Sequence, residues 1–175
     1  MKKDYYLHLS LEKKEHFALP EGWNPLHFIE TEEGKPFPSI EQMTREALSK
    51  PAGPLPFQAL LSRAKRIAII VDDATRPTPV AKILGALLSH LGEGAVSREK
   101  ITIVVAIGTH ETMGKEALET RLGADVLSSY KVVQHNAWQK DLVPIQIPDD
   151  GRVVKISPEV AQADLRVGIS SVLPH

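Results

Sequence analysis

Cysteine is absent from the 175 residues. Disulfide bonds, thiolate metal sites and cysteine nucleophiles are therefore excluded for this chain. Long apolar runs are absent as well, since no stretch approaches the roughly 20 apolar residues that a membrane-spanning helix needs. The first residues also lack the apolar core of a signal peptide. We therefore expect no membrane partner and a cytoplasmic location.

An excess of charge of either sign is also missing. The 21 Lys and Arg residues nearly balance the 22 Asp and Glu residues, which gives a formal net charge of −1. Domains that bind nucleic acid usually carry a basic excess that attracts the phosphate backbone, so we expect no nucleic-acid partner. Apolar residues make up 42% of the sequence, an ordinary share for a globular protein with a hydrophobic core.

Two nucleotide-binding signatures are missing too. The sequence has no set of three glycines at the dinucleotide-binding spacing, which argues against an ordinary NAD-dependent dehydrogenase. Residues 108–116, GTHETMGKE, superficially resemble a phosphate loop. However, five residues separate the two glycines where the loop has four, and Glu116 stands where Ser or Thr would bind magnesium. A nucleoside triphosphatase is therefore disfavoured.

After residue 66, strand and helix patterns alternate regularly. Short apolar runs predict buried strands at 67–71, 101–107, 130–134 and 164–170. Helical patterns occupy 80–88 and 114–122, and a hairpin followed by a helical turn is predicted over 143–162. This alternation predicts an α/β fold, with a Rossmann-like, mostly parallel sheet flanked by helices.

The first part of the chain has a different pattern. Alternating residues at 5–11 and a second short run at 16–19 predict a β-hairpin, and frequent Pro and Gly over 20–38 predict an irregular connector. A helix is predicted over 39–48, with Ser39 as its N-cap. We therefore divide the chain into an N-terminal arm and connector, 1–40, and a Rossmann-like domain, 41–175. Because the sequence stops shortly after its last strand, we expect it to be a fragment of a longer two-domain protein.

The densest group of polar residues lies between the first long strand and the helix after it, at residues 72–79, DDATRPTP. Ligands of open α/β sheets gather at such strand-to-helix turns. Two interpretations stay open at this point. The acids could serve only as caps, with Thr78 as N-cap and Arg76 paired to an acid. Alternatively, Arg76 could present its planar guanidinium to a carboxylate or phosphate.

Polar clusters also follow the other long strands, at residues 108–113, 134–137 and 170–175. In a parallel sheet all these strand ends open on the same edge. His110 is a candidate proton donor and acceptor, because imidazole changes its charge near neutral pH; the alternative is a His bonded to a loop carbonyl. His135 either lines the same edge or caps the following turn, and Trp138 is expected to serve packing or an interface.

Four segments together resemble the N-terminal domain of the nickel-dependent lactate racemase family. They are residues 72–79 (DDATRPTP), 106–113 (AIGTHETM), 134–137 (QHNA) and 163–175 (ADLRVGISSVLPH). The likeness covers most of the chain and is weakest in its N-terminal third. The resemblance implies a 2-hydroxy acid racemase or epimerase of two domains, with a nickel pincer nucleotide (nickel-pyridinium-3,5-bisthiocarboxylic acid mononucleotide) between them. That cofactor takes a hydride from the alcohol carbon and returns it to either face.

The resemblance also implies roles for individual residues. His110 and His175 would be the catalytic acid/base pair, one for each face of the substrate. Arg76 would hold the substrate carboxylate. Four consecutive residues would border the cofactor: Asp73, Ala74, Thr75 and Arg76. His135 has no role that the resemblance assigns.

One departure from the family limits these expectations. In the family, a glycine-rich segment beyond the equivalent of His175 supplies the lysine that carries the cofactor and a histidine that ligates nickel, and the sequence stops before both. We therefore expect no metal ligand, no tightly bound cofactor and no turnover in this chain alone. The expected partners are a 2-hydroxy acid and a missing C-terminal domain. The alternative is a non-catalytic domain that binds a small anion or a nucleotide.

Overall fold

The computed structural model describes residues 5–8, 14–23 and 38–172. The chain divides into two compact units, Met1–Phe37 and Pro38–His175. In the first unit, β1 (Tyr5–His8) pairs antiparallel with β2 (Lys14–Phe17), so the predicted N-terminal hairpin is confirmed. Most of the predicted irregular connector lies outside the described residues.

The second unit contains six helices and six strands within its described residues. In chain order they are α1 (Ile40–Ser49), α2 (Phe57–Leu61), β3 (Ile67–Asp72), α3 (Val80–Glu93), β4 (Ile101–Gly108), α4 (Lys115–Leu122), α5 (Ala124–Ser129), β5 (Lys131–Asn136), β6 (Val143–Gln146), β7 (Val153–Ile156), α6 (Pro158–Ala161) and β8 (Leu165–Ile169). A single 3-10 turn, Arg98–Lys100, leads into β4. As predicted, α1 begins after Ser39, whose hydroxyl oxygen accepts a hydrogen bond from the Gln42 backbone N–H at 3.1 Å. None of the helices described is long and apolar enough to cross a membrane.

Four strands form the main sheet in the order β5-β4-β3-β8, and all of its strand pairs are parallel. β6 and β7 form a separate antiparallel hairpin. The prediction of a mostly parallel, Rossmann-like sheet is therefore confirmed. The sequence did not predict α5, which has only six residues, too few to show a helical period. It starts directly after Gly123, whose φ of 98° turns the chain between α4 and α5.

The hydrophobic core lies between one face of this sheet and α3. Alternate residues of β3 and β4 point to that face because successive side chains of a strand point to opposite faces. Ile69 and Ile103 are completely buried there, and Leu84 of α3 is buried against them. Burying a side chain of this size stabilises the fold by about 1.5–3 kcal/mol. The core thereby holds the ends of β3 and β4 in a fixed relation.

The strand order creates a switch point beside β3. The chain runs from β3 to β4 and then β5 in one direction, whereas β8 joins the opposite edge of β3. Right-handed crossovers place α3 and α4 on one face of the sheet and the segment that leads to β8 on the other. Ligands of such sheets bind where the connections diverge, outside the carboxyl ends of the strands. The turn after β3 lies at that place.

Candidate active site

The turn that connects β3 to α3 is held by side-chain hydrogen bonds. Asp72 Oδ2 accepts a hydrogen bond from the Thr78 hydroxyl at 2.5 Å, and the Thr78 hydroxyl lies 2.7 Å from that of Ser171, which follows β8. On its other oxygen, Asp72 pairs with Arg121 of α4. The turn is therefore joined both to the end of β8 and to α4.

These contacts contradict the interpretation of the turn as a set of caps. Thr78 does not cap α3: Pro79 stands at the N-cap position, and the Thr78 hydroxyl is bonded to Asp72 instead. Arg76 is exposed, and its guanidinium has neither a hydrogen bond nor an ion pair with any residue that the structure describes. The prediction of Thr78 as N-cap and the pairing of Arg76 with an acid are both wrong, because Arg121 takes the acid.

Asp73 is buried, with 5% of its surface exposed, and divides its two oxygens between a local and a distant partner. Oδ1 accepts hydrogen bonds from the Thr75 N–H at 3.0 Å and the Thr75 hydroxyl at 2.6 Å. Oδ2 lies 2.5 Å from His110 Nδ1. Sequence reasoning placed Asp73 beside the cofactor and did not foresee its contact with His110.

The charge state of Asp73 determines which nitrogen of His110 carries the proton. Burial acts to raise the pKa of Asp73, but the hydrogen bonds from Thr75 and His110 outweigh it, so the pKa lies below its ordinary value. The ionised carboxylate can only accept hydrogen bonds, so His110 Nδ1 must donate. In the neutral ring, Nε2 is then the free acceptor, which is the form that a general base needs.

The backbone around β4 presents the His110 ring to solvent. Gly108 ends the strand with φ of 60°, a left-handed conformation that favours glycine, and its carbonyl accepts a hydrogen bond from the Ala137 N–H at 2.9 Å. The His110 N–H donates to the Ile107 carbonyl at 2.9 Å. The His110 side chain is 51% exposed, and no described residue hydrogen bonds to its Nε2. The ring is fixed on one side and open on the other.

A cavity of about 380 Å³ borders His110; its lining residues are Thr109, His110, Glu111, Thr112, Asn136 and Trp138. Trp138 is 76% exposed, which is unusual for so large an apolar side chain. Of its two expected roles, packing does not fit this exposure, and the interface role stays a prediction. Its backbone N–H donates to Asn136 Oδ1 at 2.8 Å. The cavity therefore combines an imidazole, hydrogen-bonding side chains and an aromatic wall.

Gln134 fixes the loop that follows His110. Its Oε1 accepts a hydrogen bond from the Met113 N–H at 2.7 Å, and its Nε2 donates to the Met113 carbonyl at 2.9 Å. His135 points to the opposite face of the sheet, where its Nδ1 lies 2.9 Å from the Ser157 hydroxyl in a separate cavity of about 160 Å³. His135 therefore lies away from the His110 ring.

A further cavity, of about 580 Å³, lies between the start of α3 and α4. Its lining residues are Ala74, Thr78, Pro79, Val80, Ala81, Lys82, Glu116, Ala117, Thr120 and Arg121. Neither His110 nor Arg76 lines it, so the proton-transfer candidate opens on the smaller cavity.

One predicted site residue lies outside the residues that the structure describes. His175 lies beyond the described residues, which end at Val172. In the part that the structure describes, no group of three or more His, Asp or Glu side chains could hold a metal ion.

Sequence reasoning missed Arg121, and no signal in the sequence of α4 distinguishes it from the other charged residues of that helix.

Comparison with known proteins shows where this arrangement belongs. The family model described as the lactate racemase N-terminal domain matches residues 12–175. The chain belongs to this family. The lactate racemase of Lactiplantibacillus plantarum is 30% identical over 139 residues, which cover 78% of this chain and 32% of that protein.

A solved structure shows the same fold. The lactate racemase apoprotein from Thermoanaerobacterium thermosaccharolyticum superposes with a TM-score of 0.77 at 23% identity, over 95% of this chain and 38% of that one. This chain therefore spans about a third of the length of these relatives. The resemblance to the lactate racemase family and the α/β fold class are both confirmed.

Proposed function

We propose that this chain is the N-terminal part of a 2-hydroxy acid racemase or epimerase, and that His110 moves the hydroxyl proton of the substrate. The Asp73–His110 pair is the observation that supports this most directly. A domain that only bound an anion would have no need for an imidazole whose proton is fixed by a buried carboxylate. Family membership supports the same reaction class.

Proton transfer by His110 follows from its hydrogen bond. Nδ1 is occupied by Asp73 Oδ2 at 2.5 Å, so Nε2 accepts the hydroxyl proton. The imidazolium that forms is stabilised by the ionised Asp73 carboxylate, and it returns the proton to the same oxygen when the alcohol is restored. His175 is proposed as the second acid/base group, which serves the opposite face of the substrate.

Arg76 is proposed to bind the substrate carboxylate. Its guanidinium is exposed and free of other described partners, and a planar fork with two parallel N–H donors matches a carboxylate. Asp73 turns both of its oxygens inward, toward Thr75 and His110. An anionic ligand at the turn therefore meets the cation of Arg76 without facing the carboxylate of Asp73.

The Arg76 guanidinium also fits an anionic nucleotide cofactor. Within the described part of the chain, residues 73–76 present one unpaired cation and no unpaired carboxylate at the carboxyl end of β3, where nucleotides bind in this class of sheet. Asp73, Ala74, Thr75 and Arg76 would border the cofactor. When bound, the nickel pincer nucleotide supplies the acceptor and donor of hydride for the alcohol carbon. Its covalent lysine and its nickel-ligating histidine are proposed to come from a C-terminal part that partners residues 41–175.

The test uses the complete polypeptide that carries these residues, produced in cells that make the nickel cofactor. Intact mass measures the covalent adduct, and chiral chromatography measures interconversion of 2-hydroxy acid enantiomers. His110→Gln is expected to keep the adduct and to lose at least 10²-fold in kcat, the usual contribution of a general acid/base. His90→Gln, which changes a histidine on α3, is the matched control. An unmodified mass from cells that load a known racemase would favour the non-catalytic anion-binding alternative.

A further inference from the structure

Arg121 makes four hydrogen bonds to the turn between β3 and α3, although it comes from α4. Its Nε donates to the Asp72 carbonyl at 3.1 Å, and its Nη1 donates to the Arg76 carbonyl at 3.0 Å and the Thr78 carbonyl at 2.8 Å. Its Nη2 donates to the Asp72 carboxylate. Only 10% of the Arg121 side chain is exposed.

These acceptors lie at the start, the middle and the end of the turn. Few backbone N–H groups are available to hold the turn, because Pro77 and Pro79 have none. The Arg76 N–H donates to the Asp73 carbonyl at a long 3.3 Å. The path of the turn therefore depends on side-chain hydrogen bonds: those that Asp72 and Asp73 accept within the turn, and those from the guanidinium of Arg121, whose donors are fixed in one plane.

The Asp72 carboxylate that Arg121 holds is also linked, through the Thr78 hydroxyl, to the segment that follows β8. Asp72 Oδ2 accepts from the Thr78 hydroxyl at 2.5 Å, and that hydroxyl lies 2.7 Å from the Ser171 hydroxyl. One hydrogen-bonded network thus joins α4, both ends of the turn and the segment after β8. Asp73 lies between two of the points that Arg121 holds, and Arg76 is itself one of them.

We propose that Arg121 is a positioning residue of this site. By holding the turn at three places, it sets where Asp73 meets His110 and where Arg76 faces solvent. Its importance for catalysis rests on the proposed function, but its effect on the geometry of the turn does not. Lysine cannot replace it, because one ammonium group cannot reach three carbonyls and a carboxylate in the same plane.

The test measures the 175-residue chain by NMR and needs no turnover. The ¹⁵N shifts of the His110 ring report which nitrogen carries the proton, and amide exchange reports the protection of Thr75 and Arg76. Arg121→Lys is expected to accelerate exchange of these two amides at least tenfold and to shift His110 from a single tautomer toward a mixture. Arg166→Lys is the matched control, because Arg166 of β8 also donates to two carbonyls, those of Val160 and Ala161 of α6.

A second variant separates positioning from charge balance. Arg121→Met combined with Asp72→Asn leaves no buried charge unpaired, and it should show the same two changes as Arg121→Lys. Wild-type exchange and a wild-type His110 signal in Arg121→Lys would overturn the proposal and leave Arg121 as a counter-ion of Asp72. Loss of the folded state in both variants would also overturn it, since Arg121 would then be a stability residue. If His110→Gln retains racemase activity while Arg121→Lys changes the NMR signals, the proposed function fails and the positioning role stands.

Discussion

Replacing Asp73 with asparagine tests the central contact of the site while changing almost no volume. The amide can turn its NH₂ group toward His110 Nδ1, and the ring proton then moves to Nε2. In that tautomer Nε2 is a donor, so it cannot accept the hydroxyl proton of a substrate. The amide side chain still fits the space between Thr75 and His110, which are 3.0 Å or less from the present carboxylate.

The size of the expected effect follows from the role of the carboxylate. The same replacement beside the histidine of a serine protease lowers kcat by about 10⁴-fold through the wrong tautomer. The Asp73–His110 contact has the same donor and acceptor arrangement, with the acid 5% exposed. We therefore expect Asp73→Asn to lower kcat by about 10³–10⁴-fold at neutral pH, which corresponds to about 4–5.5 kcal/mol in activation free energy.

The assay is kcat for enantiomer interconversion by the complete polypeptide, combined with ¹⁵N NMR of His110 in the 175-residue chain. Asp149→Asn is the control, because Asp149 is an exposed acid in the turn between β6 and β7. The NMR signal of His110 should change to the Nε2–H form in Asp73→Asn alone. A variant that changes tautomer but keeps wild-type kcat would refute the assignment of His110 as the base.

Two further predictions concern acid stability and carboxylate binding. Burial acts to raise the pKa of Asp73, but the hydrogen bonds from Thr75 and His110 outweigh it and hold this pKa below its ordinary value. The ionised carboxylate therefore stabilises the fold above its unfolded pKa of about 3.9. This stabilisation is lost as pH falls through the lower folded pKa. Melting temperatures between about pH 5 and pH 2 should accordingly fall less steeply for Asp73→Asn than for the wild type, and an equal slope would contradict the assigned charge state. Arg76→Lys should raise KM for the 2-hydroxy acid about tenfold with a smaller change in kcat, since it loses one of two parallel N–H donors. Arg63→Lys is its control on the exposed surface after α2, and an unchanged KM in Arg76→Lys would remove Arg76 from the substrate site.

The sequence predicted the elements whose burial is periodic. β3 and β4 are apolar because both of their faces meet other parts of the protein, and α3 has an apolar side that packs on them. Parallel strands bring their carboxyl ends to one edge, so the polar residues after each strand could be placed there before the structure was known. His110 and Arg76 were proposed as site residues by this reasoning, and their roles stay predictions.

The contacts between those residues could not be predicted in the same way. Arg121 is 49 residues from Asp72 in sequence, and its helix shows only an ordinary mixture of charged and apolar residues. Thr78 has a high N-cap propensity, yet its hydroxyl is bonded to Asp72, because a distant partner had already fixed that acid. The tertiary contacts of Asp72 thus outweigh the local N-cap preference of Thr78, and such contacts cannot be read from a short stretch of sequence.

The pairing of β3 with β4 has a consequence for how the site can arise. Asp72 is the register partner of Ala106, so Asp73 leaves the sheet one residue beyond a paired position and His110 four residues beyond it. A slip of one residue would displace one strand by about 3.3 Å and turn its side chains to the opposite face. The 2.5 Å contact between Asp73 and His110 does not survive a displacement of that size. Correct alignment of the two strands is therefore a condition for the contact on which the proposed base depends, and misaligned chains would lack that contact even if they were compact.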